Sequence, residues 1–135
     1  MSKVTKTYQE LVTFVNTLIF NVGEDKGRTK GQKKLFKIYE KFKVATDDYT
    51  ELVQDLRLEH ASVDDKKNLI LDEKGGYTFT KEGSRAFNKA AKELAAKTAE
   101  FNVINVVNPD GLEIYPFLKD WVEGVTFIEE TEEEL

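Results

Sequence analysis

Few side chains in this sequence are placed to do chemistry. The single imidazole, His60, stands among Arg57, Glu59, Asp64 and Asp65, and a histidine beside carboxylates is the minimum equipment for general acid–base work. The same setting suits a solvated histidine in the last turn of a helix, where its charge favours the dipole, and that is the reading adopted. Two adjacent acid pairs, Asp47-Asp48 and Asp64-Asp65, offer the carboxylates that hard cations take. Neighbours on a helix point about 100° apart, so neither pair converges on one ion unaided. Gly23, Gly27 and Gly31 lie among Lys26, Arg28 and Lys30 and suggest a phosphate loop. The GxxxxGK[ST] pattern fails, because Arg28 occupies the place where the second glycine is required. There is no cysteine, and there is one methionine. That removes thiol nucleophiles, disulfides and thiolate metal sites and leaves few soft ligands. The residues therefore predict a protein that is not an enzyme, with no metal and no cofactor.

A contact surface is the better candidate. Residues 26–43 hold eight bases, Lys26, Arg28, Lys30, Lys33, Lys34, Lys37, Lys41 and Lys43, against the single acid Glu40. Lys30, Lys33, Lys34, Lys37 and Lys41 recur at helical spacing and are expected on a face opposite the apolar seam described below, able to hold an anion or a partner. Such a stripe can neutralise phosphates. The bases are nearly all lysine, however, and no aromatic alternates with them as a stacking platform would require, so nucleic acid is not favoured. Residues 44–73 reverse the sign, with nine acids against three bases. That polarity suits antiparallel pairing of copies or docking on a charged protein.

The chain has 135 residues, 25 acidic and 20 basic, for a net charge of -5. Five glutamates follow Ile128, so the remainder is balanced, and one domain over 1–128 with a disordered acidic tail over 129–135 is expected. No apolar run reaches the roughly 18 to 20 residues that span a bilayer, and Met1-Ser2-Lys3 leads into no signal-peptide core, so neither secretion nor a membrane partner is expected.

Helical periodicity organises most of the rest. Tyr8, Leu11, Val12, Val15, Leu18 and Ile19 predict an amphipathic helix over about 5–21. Leu35, Ile38, Phe42, Ala45, Tyr49, Leu52 and Leu56 are spaced alternately by 3 and 4 residues, a coiled-coil seam on a helix over about 32–62. A helix so long needs a partner. Phe87, Ala91, Leu94, Thr98 and Phe101 repeat the same spacing and predict the returning helix, over about 81–101, capped by Thr80. Between the two, Asn68–Asp72 and Tyr77–Thr80 flank Gly75-Gly76 as a β-hairpin. Asn102–Asn108 reads as a strand ended by Asn108-Pro109-Asp110-Gly111, Leu112–Tyr115 as a second short strand, and Pro116–Glu123 as a final helix closed by Gly124. No internal repeat is evident.

A helix ending Leu18-Ile19-Phe20, a long helix opening Lys34-Leu35-Phe36-Lys37-Ile38-Tyr39, a Gly-Gly-Tyr-Thr-Phe hairpin and an Asn-Val-Ile-Asn strand together resemble a family of small tailed-bacteriophage proteins. The likeness is one of layout over about residues 5–127. It implies a phage-encoded, oligomeric virion or assembly component in the virion or the host bacterial cytoplasm. An inhibitor of a host defence system, binding an anionic ligand or a host protein, is the rival reading. The antiparallel helices joined by a hairpin also resemble prefoldin, which implies a prefoldin-like chaperone as a further alternative, although the return helix is shorter here and extra elements cover the ends. The expected fold is mainly α (α+β): a long antiparallel helical hairpin with a β-hairpin at its turn and a small α/β cap formed by the termini. It is expected to act by protein–protein interaction, self-associating through Leu35, Ile38, Phe42, Tyr49, Leu52 and Leu56.

Overall fold

Thr7 marks the change from strand to helix near the start of the chain. In the computed structural model, which describes residues 2–128, Lys3–Thr7 form β1 and Tyr8–Val22 form α1. The Thr7 hydroxyl accepts the Glu10 N–H and the Glu10 carboxylate accepts the Thr7 N–H, both at 3.0 Å, a reciprocal capping box. The bond from the Thr7 backbone, followed by that with its hydroxyl, holds the Glu10 carboxyl below the usual carboxylate range. A helix starting near residue 5 is thus corrected to one starting at Tyr8. The preceding five residues are a strand because they find a partner in β2, Thr98–Asn102, antiparallel from Lys3↔Asn102 to Thr7↔Thr98.

α2 runs from Lys30 to His60, 31 residues, or about 46 Å at 1.5 Å per residue. Thr29 and Gln32 cap it reciprocally. Its cover comes from two helices in succession. α1 packs antiparallel on the first half: Gln32 donates to the Asn21 carbonyl, Phe14 meets Phe42 edge-on at 5.1 Å, and Tyr8 stacks on Tyr49 at 5.0 Å. α3, Lys81–Ala96, lies on the second half: Phe87 sits beneath the Arg57 guanidinium at 5.6 Å, and Gly83 lies against the His60 carbonyl. At 15 and 16 residues, α1 and α3 span about 22 and 24 Å, and together they match the length of α2. The junction is Thr7 beside Thr98, where the Tyr8 N–H donates to the Lys97 carbonyl at 3.2 Å.

Two expectations therefore change. The downstream helix is not the sole partner of the seam, because α1 takes its first half. That helix also ends at Ala96, so Thr98 and Phe101 belong to β2 and Phe101 enters the core from a strand. Its heptad spacing is coincidental: pairing with β1 wins over helix continuation. Gly83 lets α3 approach α2 closely, since a Cβ there would stand 2.8 Å from the His60 carbonyl oxygen.

The segment from 61 to 80 holds two tight turns with one design. Val63-Asp64-Asp65-Lys66-Lys67-Asn68-Leu69 and Leu71-Asp72-Glu73-Lys74-Gly75-Gly76-Tyr77 repeat at eight residues. In each, the leading aspartate accepts the N–H groups two and four residues on, at 2.8 and 3.0 Å for Asp64 and 2.9 and 2.8 Å for Asp72. Each turn is closed by one antiparallel bridge, Val63↔Leu69 or Leu71↔Tyr77. The expected glycine hairpin is the second of the pair, and an internal repeat exists after all.

The C-terminal expectations are corrected most. In the stretch read as one strand, Asn102 closes β2, and beyond it only Ile104–Asn105, β3, is paired, in parallel with β4, Val122–Glu123. Leu112–Tyr115 forms turns, and the final helix reduces to one 3-10 turn over Pro116–Leu118. Lys119 leaves the helical region at ψ 145° and Asp120 takes φ 77°, which ends the turn. The side chains still cap the core as expected. Trp121 stacks on Phe14 at 4.4 Å with the rings 4° from parallel, and meets Phe42 edge-on at 5.5 Å. Leu11, Leu18, Leu35, Leu112 and Leu118 are fully buried around this aromatic group. The chain is thus a mixed helix-and-strand fold dominated by three helices.

The Asp110-Gly111 turn docks on the first turn of α2 backbone to backbone. A Cβ on Gly31 would lie 2.5 Å from the Gly111 carbonyl oxygen and 3.1 Å from its carbon, and neither atom can swing aside as a side chain could. Gly31→Ala is expected to lower stability by about 1–3 kcal/mol, read as a reduced urea midpoint at unchanged slope; an unaltered midpoint would contradict this packing.

Candidate interaction surface

Beyond Phe42 the packing changes character. Between 43 and 100 the only buried hydrophobic residue is Ala61, whereas α1 and the first half of α2 supply eight. The predicted seam divides accordingly: Leu35, Ile38 and Phe42 are core, while Tyr49 and Leu56 are half-buried and Leu52 is 41% exposed. The second half of α2, α3 and the two turns form an arm. α3 contributes a narrow half-buried face of Phe87, Ala90, Ala91 and Leu94, whose small residues cover little of α2. The tip is held to the arm by Gln54 donating to the Tyr77 hydroxyl at 2.9 Å and by Phe79 against Phe87 at 5.8 Å. Leu52, Leu58, Val63, Ile70 and Leu71, all on this arm, are between 41 and 50% exposed.

The lysine stripe is not opposite the seam. Lys34, Lys37 and Lys41 line a small cleft of about 140 Å³ with the seam residue Ile38 and with Ile104, Val106 and Leu112. They flank the core rather than turn away from it, because the 104–112 segment covers α2 from that side. Lys34 also donates to the Asp110 carbonyl. Lys30 and Lys33 are exposed further along the same helix. Among the described residues none of these five lysines takes part in an ion pair. A larger cleft of about 580 Å³ continues toward the arm, lined by Lys41, Val44, Ala45 and Asp48 on α2 and by residues 100–105 opposite. The floor is apolar, the rim carries both signs of charge, and Val44 beside it is 63% exposed.

The residues considered for catalysis are not brought together. No hydrogen bond or ion pair joins His60 to Asp64 or Asp65 among the described residues, and Asp64 spends its carboxylate on its own turn. Asp47 pairs with Lys43 one helical turn away at 3.0 Å, a bond that raises the Lys43 ammonium above its ordinary range. Among the described residues no group of three or more His, Asp or Glu could hold a metal ion. No helix is long and apolar enough to cross a membrane. The expected acidic tail, 129–135, lies outside the described residues. Sequence reasoning missed the far wall of the large cleft, Glu100–Asn105. Its signal was the β-branched run through Val107, which was read as a strand without a position.

The turn design has a pH signature. The Asn68 N–H, then the Lys66 N–H, stabilises the Asp64 carboxylate and lowers its pKa from the ordinary aspartate range. A depressed folded pKa means that the contribution of these bonds is complete above the ordinary value of about 3.9 and is lost as pH falls through the lower, folded one. The Lys66 and Asn68 amide resonances are therefore expected to titrate together with a midpoint below about 3.9 and to stop doing so in Asp64→Asn; a midpoint at or above that value would refute the assignment.

No known protein family, no curated protein and no solved structure matches this chain.

Proposed function

We propose that the protein acts by protein–protein interaction, with the arm as its docking element, and that it self-associates through the second half of the α2 seam. The observation that carries this is the half-covered arm: Leu52, Leu58, Val63, Ile70 and Leu71 share one thin two-helix projection, each more than two-fifths exposed. Apolar surface concentrated in this way is a mark of an interaction site. A helical hairpin with Tyr49, Leu52 and Leu56 along it fits coiled-coil pairing better than it fits a closed domain. The resemblance in layout to tailed-phage proteins supports such a role in a virion or its assembly, within the infected bacterium.

The anion-binding reading keeps one specific support, the five lysines on α2 that lack carboxylate partners among the described residues. The apolar arm has no use in it, which is why interaction with protein is preferred.

The test is light scattering at micromolar concentration on the wild type and Leu52→Lys. Association is expected in the wild type and is expected to weaken by at least about 2 kcal/mol in the variant, the scale of an interface hot spot. The melting temperature of the dissociated variant is expected to change little, since the site is 41% exposed. A strictly monomeric wild type whose Leu52→Lys variant is equally stable would overturn the reading.

A further inference from the structure

One flank of α2 carries a charge order that works against its own helix. Lys34, Lys37, Lys41, Ala45, Asp48, Leu52, Asp55 and Glu59 follow one another at steps of three or four, so they form a single row along the helix surface. Apart from Lys34 and Ala45, which are half-buried, all are exposed. The N-terminal half of the row is basic, the C-terminal half acidic. Lys30 and Lys33 add to the basic end, and the first turn of α2 holds no acid. The macrodipole favours the reverse, anions near the N-terminus and cations near the C-terminus. Intrahelical electrostatics therefore does not account for this order.

We infer that two copies of the chain pair antiparallel along this row, about a two-fold axis between Ala45 and Asp48. The inference rests on the proposed self-association and adds its geometry. An isologous contact requires that a surface complement itself, and a helix flank basic at one end and acidic at the other does so only when its copy runs the opposite way. In that register Lys34 faces Glu59 of the other copy, Lys37 lies near Asp55 and Leu56, and Lys41 faces Leu52. Leu52 of each arm then meets the mouth of the other copy's 580 Å³ cleft beside Lys41, Val44 and Ala45, and the lysine stems cover it with their methylenes. Parallel pairing would set three lysines against three lysines and acids against acids, which costs rather than stabilises. A foreign partner would need the same reversed polarity in the same spacing; a second copy has it by construction. The row spans 26 residues, about 38 Å from end to end, enough for a standard interface once the arm and cleft are included.

The experiment is sedimentation equilibrium on three forms of the full chain: wild type, the basic-half variant Lys37→Glu/Lys41→Glu, and the acidic-half variant Asp48→Lys/Asp55→Lys, both of which leave Lys34 on the Asp110 carbonyl. Both variants move charge in the direction that the dipole prefers, so each is expected to fold with wild-type circular dichroism and undiminished thermal stability. The wild type is expected to dimerise with an affinity that falls as salt rises. Each variant alone is expected to lose at least about tenfold in affinity, or roughly 1.4 kcal/mol, and an equimolar mixture of the two is expected to dimerise again. Three results overturn the inference: a monomeric wild type, variants that dimerise unchanged, or a mixture that stays monomeric. If Leu52→Lys abolishes association while the charge variants leave it intact, the antiparallel row is wrong and the docking role of the arm survives.

Discussion

Everything in this fold depends on covering one long helix. α2 is about 46 Å long by its 31 residues, and a helix of that length with an apolar stripe is not stable alone in water. The chain solves this with two short helices laid along it in turn, and the place where they meet is fixed by a strand pair. Thr7 does three things at once: it ends β1, pairs with Thr98, and caps α1 with Glu10. The Tyr8 N–H then reaches the Lys97 carbonyl just after the last turn of α3. Two antiparallel strands of five residues thus set the join between α1 and α3 and so decide which part of α2 each covers.

The two halves are covered unequally. α1 brings five buried side chains, and the C-terminal segment adds Leu112, Leu118, Trp121 and Val122 from another side, so the first half of α2 is covered from two sides. α3 brings Phe87, Leu94 and two alanines from a single side and buries none of its own residues completely. Its close approach through Gly83 supports a slim two-helix arm rather than a second core. The charge order of α2 follows the same division, basic over the well-covered half and acidic over the arm. Under the proposed antiparallel pairing these facts have one explanation: the arm of each copy is completed by the body of the other.

Much of this was legible in the sequence where local rules dominate. Helical periodicity placed α1, α2 and α3, Thr80 is an ordinary cap, and the Gly75-Gly76 turn announces itself. Most of the misreadings share one cause. Lys3–Thr7 and Thr98–Asn102 are strands only because they find each other across nearly the whole chain, and no window of either reveals that. Phe101 satisfied the heptad spacing and is buried, yet it reaches the core from a strand. Likewise the lysine stripe was placed opposite the seam by helical geometry alone, whereas its true surroundings depend on where residues 104–112 pass. The aspartate turns were missed for a different reason: their signal is an eight-residue repeat of Asp, Lys and a left-handed position, filled by Lys67 in one copy and Gly75 in the other, and the lysine hides the likeness.

Native-state hydrogen exchange along α2, on dilute protein below the onset of association, tests the central claim most directly. If α2 is one helix with two unequal covers, amides from Leu35 to Ala45 exchange only with global unfolding, while those from Leu52 to Glu59 and across α3 exchange through a smaller opening that lies lower in free energy. Equal protection from one end of α2 to the other would contradict the account, because the arm would then be as firmly closed as the core.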